Sequence, residues 1–301
     1  MPGVDADVAR HLARFREALR QASGGLRRDL PWIGLRDPWA IFVSEVMLQQ
    51  TSTARVVEPW TRFLQTFPTA SACAQAPLAD VLRQWSGLGY PRRAKSLHDA
   101  ARMMVERFDG CVPSSIDELL SLPGVGPYTA HAVASFAFHR RAAVLDTNVG
   151  RVVARAIANR PLRAREAQDL ATALLPRRDC AAFNQAMIDL GAQFCGRDPR
   201  CPRCPLRSSC RWDREGGEDP APRSASVSRP QEVFIGSDRQ VRGRVLKALD
   251  RGPLTWRLLG QAIADIEVDR LDRLVEQLTE DGLVHRRGNH VALSGDEARR
   301  R

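Results

Sequence analysis

Through the first two thirds of the chain, apolar residues recur at helical spacing. Val8, Leu12, Phe15 and Leu19 form one such stripe. Leu78, Val81, Leu82 and Trp85 form another, and Leu97, Ala101, Met104 and Phe108 a third. Asp37-Pro38 reads as an N-cap with proline at the first helical position, opening a helix that runs through Trp39. Ser115 with Glu118 makes a capping box ahead of Leu119, Leu120 and Leu122. Sustained strand alternation is absent, so residues 1–212 are predicted to be an all-α domain. Beyond Trp212 the pattern changes. Residues 213–236 are rich in Gly, Pro, Ser and charge and read as a flexible linker. From 237 to 301 the apolar stripe Val241, Val245, Leu249 leads to a Gly252-Pro253 break. A second helix is expected over Leu254 to Ile263 and a third around Leu271, Leu274, Val275 and Leu278. His285 to Leu293, with Gly288-Asn289 inside, reads as a hairpin, which predicts a small winged-helix-like module.

Composition narrows the class. With 301 residues the chain has room for about two domains, and 44% apolar with 27% charged residues argues against wholesale disorder. No apolar run approaches ~18 residues and Met1 to Leu12 has no signal-peptide core, so an intracellular, cytoplasmic protein without membrane spans is expected. A net charge of +10 favours a polyanionic partner such as nucleic acid or a membrane surface. Only two of the 45 basic residues are lysines, Lys95 and Lys247, so Schiff-base chemistry has few candidates.

Seven cysteines, an odd number, argue against a disulfide framework. Four of them, Cys195, Cys201, Cys204 and Cys210, follow a C-x5-C-x2-C-x5-C spacing that suits either a structural zinc or a [4Fe–4S] cluster. Glu45 lies in an otherwise apolar helical stretch. Burial there would raise its pKa towards the range of a general acid, although the edge of the stripe could equally be solvated. Asp146 precedes an apolar helix. It suits an N-cap, and its carboxylate could also stabilise a cationic transition state. Leu122 to Tyr128 reads as a helix–hairpin–helix turn, or as an ordinary Pro-Gly turn, with Gly124 and Gly126 allowing close backbone approach and phosphate binding. The two tyrosines, Tyr90 and Tyr128, each follow a Gly-rich turn. An aromatic beside Arg92 and Arg93 suits wedging against or stacking on bases, with a tyrosine packed on its own loop as the alternative.

In this order the motifs resemble the helix–hairpin–helix DNA glycosylases, and within them the adenine DNA glycosylases of the MutY family. The resemblance runs from about Leu30 to Cys210. It rests on Leu30-Pro-Trp32, Ser44 to Thr51, Gly87-Leu-Gly-Tyr90, Leu122 to Gly126, Leu145 to Asn148, Phe183 to Gly191 and the cysteine cluster. It implies a fold of two helical subdomains with an iron–sulfur loop at 195–210. It also implies removal of adenine mispaired with 8-oxoguanine or guanine in double-stranded DNA; a monomer is the default expectation. Glu45 matches the family's general acid, Asp146 the residue that stabilises the sugar cation, and Asn148 a residue that supports it. Gln49, Gln50 and Thr51 match the segment that enters the duplex. Leu88 and Tyr90 match the turn beside the opposing base, and Gln185 a position near the extruded adenine. Tyr128 stands where bifunctional relatives such as endonuclease III carry a Schiff-base lysine, which implies a monofunctional glycosylase. The cysteines would hold a [4Fe–4S] cluster. The chain departs from the family in three places. Ile33 replaces an arginine, with Arg36 as a candidate substitute. The first cysteine gap is five residues where six is usual, and the short tail leaves no room for a Nudix-like domain. A thymine or uracil mismatch glycosylase and a non-catalytic DNA-binding protein are the competing readings.

Overall fold

A computed structural model of the chain describes residues 6–228 and 233–296. The last positions of the expected linker and module that fall at 229–232 and 297–301 lie outside the described residues. Helices α1 (Ala6–Leu26), α2 (Pro38–Leu48), α3 (Thr53–Thr66), α4 (Ala70–Gln75), α5 (Leu78–Gln84), α6 (Arg92–Arg107) and α7 (Ile116–Ser121) come first. They are followed by α8 (Pro127–Phe136), α9 (Thr147–Val152), α10 (Ala164–Leu174), α11 (Cys180–Gln193) and α12 (Arg211–Glu215). After these come α13 (Asp238–Ala248), β1 (Leu254–Thr255), α14 (Trp256–Ala262), α15 (Val268–Glu280), β2 (Val284–Arg287) and β3 (His290–Leu293). The capping signals form as read. Asp37 accepts from Trp39 N at 2.9 Å, with Pro38 opening α2. Ser115 Oγ accepts from Glu118 N at 3.2 Å and bonds the Glu118 carboxylate at 2.7 Å.

Packing divides the chain into two compact units, each assembled from two stretches. One comprises residues 1–36 and 127–230, the other 37–126 and 231–301. In the first unit the α1 stripe Leu12, Phe15 and Leu19 is buried with Leu174 of α10 and Phe183, Met187 and Leu190 of α11. Each such side chain contributes up to about 1.5–3 kcal/mol by leaving water. A π-helical turn, Val153–Ala158, continues α9 and carries a buried arginine, Arg155.

In the second unit α2 packs on α3 and α6. Every α2 residue from Trp39 to Met47 is buried, which is why this helix shows no polar face. The C-terminal module belongs to this unit. Val241, Val245, Leu271, Leu274 and Leu278 form its helical core, and the antiparallel sheet has the order β1-β3-β2. The expected three helices and hairpin are present, and β1 adds a short strand that periodicity did not reveal.

Two expectations about organisation are corrected. The boundary at 212 is not where packing divides the chain. The module is tied to residues 37–126 by Arg83, which donates to Asp296 at 2.6 Å and to the Asp250 carbonyl at 2.8 Å. Arg92 and Arg242 also both hold the buried Asp281 carboxylate. The segment from 213 to 228 is a pinned strap rather than a free linker. Asp219 pairs with Arg155 at 2.6 Å, Ala221 and Ser224 are buried, and Ser228 bonds Thr147 through their hydroxyls at 2.6 Å. Its polar composition satisfies partners far away in sequence instead of water.

Candidate active site

In the second unit, Glu45 sits in the middle of α2 and is 5% exposed, as an acid in an apolar helix should be. The helix ends at Leu48, and the chain then reverses through Gln49, Gln50 and Thr51, with Gln50 in the left-handed region at φ 56°. Gln49 Nε2 donates to the Gly124 carbonyl at 3.4 Å, so this segment meets the hairpin turn. Gly124 itself has φ 75°, and its position lies against Ser96, so a side chain there would be both strained and crowded. At Gly126 a Cβ would project into open space. The turn is closed by Val125 N on the Leu122 carbonyl at 3.2 Å.

One residue organises this region. Arg93 Nη1 donates to the carbonyls of Val46, Met47 and Gln49 at 3.1, 2.8 and 2.6 Å, meeting the unfilled acceptors at the C-terminus of α2. Its Nη2 donates to Thr51 Oγ1 at 3.0 Å and to the Gly89 carbonyl at 3.0 Å. The guanidinium thereby staples the 49–51 reversal to the Gly87–Tyr90 turn. Burial lowers its pKa to about 10, and it stays charged at neutral pH. Arg93 is buried, and the Leu88 carbonyl at 3.4 Å is its sixth acceptor. Leu88 departs from expectation. It is 2% exposed, and its side chain completes the core instead of facing outward. Tyr90 is half-buried, in the left-handed region at φ 48°.

In the first unit, Asp146 caps α9. It accepts from Val149 N at 2.7 Å and from Asn148 Nδ2 at 2.6 Å. Burial pushes its carboxyl above the usual 3.8, while these two donors and the nearby Arg151 pull it back. Arg151 donates to Asn148 Oδ1 at 2.6 Å and to the Cys195 carbonyl at 2.7 Å, fixing the Asn148 amide. Gly191 of α11 lets that helix lie directly against the Asn148 backbone. Tyr128 is half-buried in the first turn of α8. Gln185 donates to Asp189 at 2.9 Å, and Asp189, 1% exposed, is held by Arg28 at 2.5 Å. Arg36, the candidate substitute for the family arginine, is exposed, and it is Arg28 that reaches the Gln185 network.

The four clustered cysteines line one cavity with about 420 Å³ of empty space, part of it open to solvent. Arg155 braces this loop. It donates to Cys195 Sγ at 3.4 Å and to the Gly196 carbonyl at 2.7 Å, and its other edge pairs with Asp219. Burial pushes the Cys204 and Cys210 thiols up, Cys210 to about 11, and that of Cys195 up against the pull of Arg155.

Arg28, Asp189, Arg93, Arg151 and Arg155 were not singled out as site-building residues by sequence. Asp189 was findable by the reasoning applied to Glu45, since a carboxylate in an apolar helix needs a partner. The arginines were not, because 45 basic residues make any one of them look like surface.

The chain was compared with known proteins. Residues 43–177 match the HhH-GPD superfamily of base excision DNA repair proteins. The adenine DNA glycosylase of Mycolicibacterium smegmatis is 44% identical over 281 residues, spanning 90% of this chain and 92% of that protein. The chain belongs to the adenine DNA glycosylase family. The adenine DNA glycosylase of Mycobacterium tuberculosis is 46% identical over 89% of this chain and 90% of its own length, so the likeness extends into the C-terminal module. Among solved structures, a thermostable thymine-DNA glycosylase aligns with a TM-score of 0.63 at 28% identity, covering 68% of this chain and 98% of that one. The mostly helical HhH-GPD fold expected from the motifs is thus the fold found. Among the described residues no helix is long and apolar enough to cross a membrane.

Proposed function

We propose that this adenine DNA glycosylase family member is a monofunctional hydrolase that removes adenine mispaired with 8-oxoguanine or guanine in duplex DNA. The observation that carries the reading is Glu45, a carboxylate buried in the middle of an apolar helix. Adenine is a poor leaving group until a ring nitrogen is protonated. Glu45 donates that proton as the bond from nitrogen to C1′ breaks, and the electron pair leaves with the base. The sugar is left cationic, and the Asp146 carboxylate stabilises it electrostatically. Water then adds at C1′, and its proton returns to the carboxylate of Glu45, restoring the acid. Asn148 orients Asp146 through the 2.6 Å hydrogen bond. Tyr128 offers no amine for a Schiff base, and Lys95 is engaged by Asp99 at 2.6 Å, both of which support monofunctional hydrolysis. Adenine must leave the stack to be reached, which costs a few kcal/mol. Gln49, Gln50, Thr51 and Tyr90 contact the duplex around the opposing base, and Gln185 contacts the extruded adenine. The Gly124–Gly126 turn takes a backbone phosphate, with room at Gly126 for close approach. The protein acts as an intracellular, DNA-associated monomer.

Cys195, Cys201, Cys204 and Cys210 would hold a [4Fe–4S] cluster. Four thiols framing a cavity suit a cluster in which each iron takes one cysteine. A structural zinc held by the same four thiolates is the alternative. Bound there, the cluster would be structural: the four cysteines would fix the loop on which Arg197, Arg200 and Arg203 are exposed for backbone phosphates.

Single-turnover base release from A·8-oxoguanine, A·G, T·G and A·T duplexes tests the reading. Adenine release opposite 8-oxoguanine is expected, with loss of at least about 10²-fold in Glu45→Gln. Thymine release, or undiminished rates in the variant, would overturn it.

A further inference from the structure

The first turn of α13 places Arg239 against Tyr90. The guanidinium donates to the Tyr90 hydroxyl and lies 5.3 Å from the centre of its ring. It also stacks on Phe234 at 5.2 Å, so the arginine is itself held between two aromatic rings. Tyr90 meets a second guanidinium, that of Arg93, 5.5 Å from its ring centre. Its backbone is in the left-handed region, which a bulky residue occupies only when its surroundings hold it there. The module that supplies Arg239 is fixed to the same unit as Tyr90. Asp281, whose side chain is 3% exposed, takes Arg92 from α6 and Arg242 from α13, one residue from each side of the junction. At the other edge Gly295 lies so close to Leu78 that a Cβ would come within 2.9 Å of its backbone nitrogen. Arg239 therefore arrives on a rigid support, and a charge-assisted hydrogen bond fixes where the phenol points.

We infer that Arg239 is a positioning residue for Tyr90, through which the C-terminal module sets the preference for the base opposite the adenine. The inference rests on the reading above that Tyr90 contacts that base. A phenol free to rotate presents a variable edge to the duplex. One tethered at its oxygen presents a fixed ring, and a fixed ring can discriminate 8-oxoguanine from guanine by shape and by stacking. Arg239 needs no contact with DNA to do this.

The test uses the full chain and compares single-turnover adenine release from A·8-oxoguanine and A·G duplexes. The ratio of the two rates is the readout, because it is independent of the active fraction of each preparation. Tyr90→Phe, which keeps the ring and removes the hydroxyl, and Arg239→Gln are each expected to lower the ratio by about tenfold, the worth of a charge-assisted hydrogen bond. The double variant should be no worse than either single one, as two members of one interaction require. Arg239→Lys should restore part of the ratio. Tyr90→Ala separates the two levels of the argument. An unchanged ratio in Tyr90→Ala removes the contact between Tyr90 and the opposing base, and the inference with it. A lowered ratio in Tyr90→Ala with an unchanged ratio in Arg239→Gln removes the inference alone. Rates that fall equally on both duplexes in Arg239→Gln, or additive losses in the double variant, would also overturn it.

Discussion

Gly191→Ala tests whether helix packing places the catalytic carboxylate. A Cβ built on Gly191 lies 2.6 Å from the Asn148 carbonyl oxygen and 2.7 Å from its Cβ, where ordinary contact begins near 3.4 Å. The shortfall of about 0.8 Å is against backbone, which has no rotamer to escape into. The start of α9 must retreat from α11, and it carries Asp146 as its cap together with the Asn148–Arg151 pair. A displacement of ~1 Å at a reacting group costs on the order of 10²-fold in rate. Overpacking costs ~1–3 kcal/mol of stability. The expected outcome is a single-turnover rate reduced by about one to two orders of magnitude. Affinity for mispaired duplex should be unchanged by fluorescence anisotropy, because no DNA-facing residue has been altered. Thermal unfolding should show a drop of a few degrees. A rate within about twofold of wild type at wild-type stability would refute the reasoning, since the loop would then absorb the methyl group without moving Asp146.

Three further outcomes follow from the same contacts. Asn148→Ala removes one of the donors that pull the Asp146 pKa down, so the carboxyl should climb further above 3.8. Catalysis needs the ionised form, so the acid limb of the pH–rate profile should move to higher pH, and an unmoved limb would show that Asn148 does not tune Asp146. Arg93→Lys keeps the charge but cannot serve acceptors on both the 49–51 reversal and the 87–90 turn, so both unfolding temperature and adenine release should fall; equal stability by calorimetry would count against the staple. Arg155→Met leaves Asp219 half-buried without its partner and the Gly196 carbonyl without its donor. With the Asp219 side chain 26% exposed, a loss of about 1–3 kcal/mol is expected, along with lower iron content and weaker visible absorbance; retention of both would show that the loop closes without it.

Local signals were legible wherever a residue's partner lies within one helical turn. Asp37, Ser115 and Asp146 all cap as their neighbours in sequence require. Glu45 was legible for the opposite reason: a charge stands out in an apolar helix. What remained hidden depends on partners distant along the chain. Leu88 looks like part of an exposed Gly-rich turn until its burial is seen. The Ser224 hydroxyl fills the Leu162 N–H at 3.1 Å, which composition alone reads as one more polar residue in a linker. Arg155 reaches carbonyls about forty positions downstream, and nothing periodic announces it. Tyr90 stood out in the sequence as one of two tyrosines, but Arg239, which holds it, lies in the module that the sequence sets apart.

The interleaving of the two units bears on how the chain matures as it leaves the ribosome. Helix α1 emerges first, with Leu12, Phe15 and Leu19 exposed, and its partners in α10 and α11 are synthesised only after α2 to α7 have appeared. The stretch 37–126 waits longer still, because Asp281 and Asp296, which engage Arg92 and Arg83, are synthesised only after the strap. Neither unit can close vectorially. Both depend on long-range pairings that form slowly and leave apolar surface open to chaperones in the interval. A nascent chain arrested within the strap would already hold every residue proposed for base removal, yet would lack the segment that completes the unit containing Glu45.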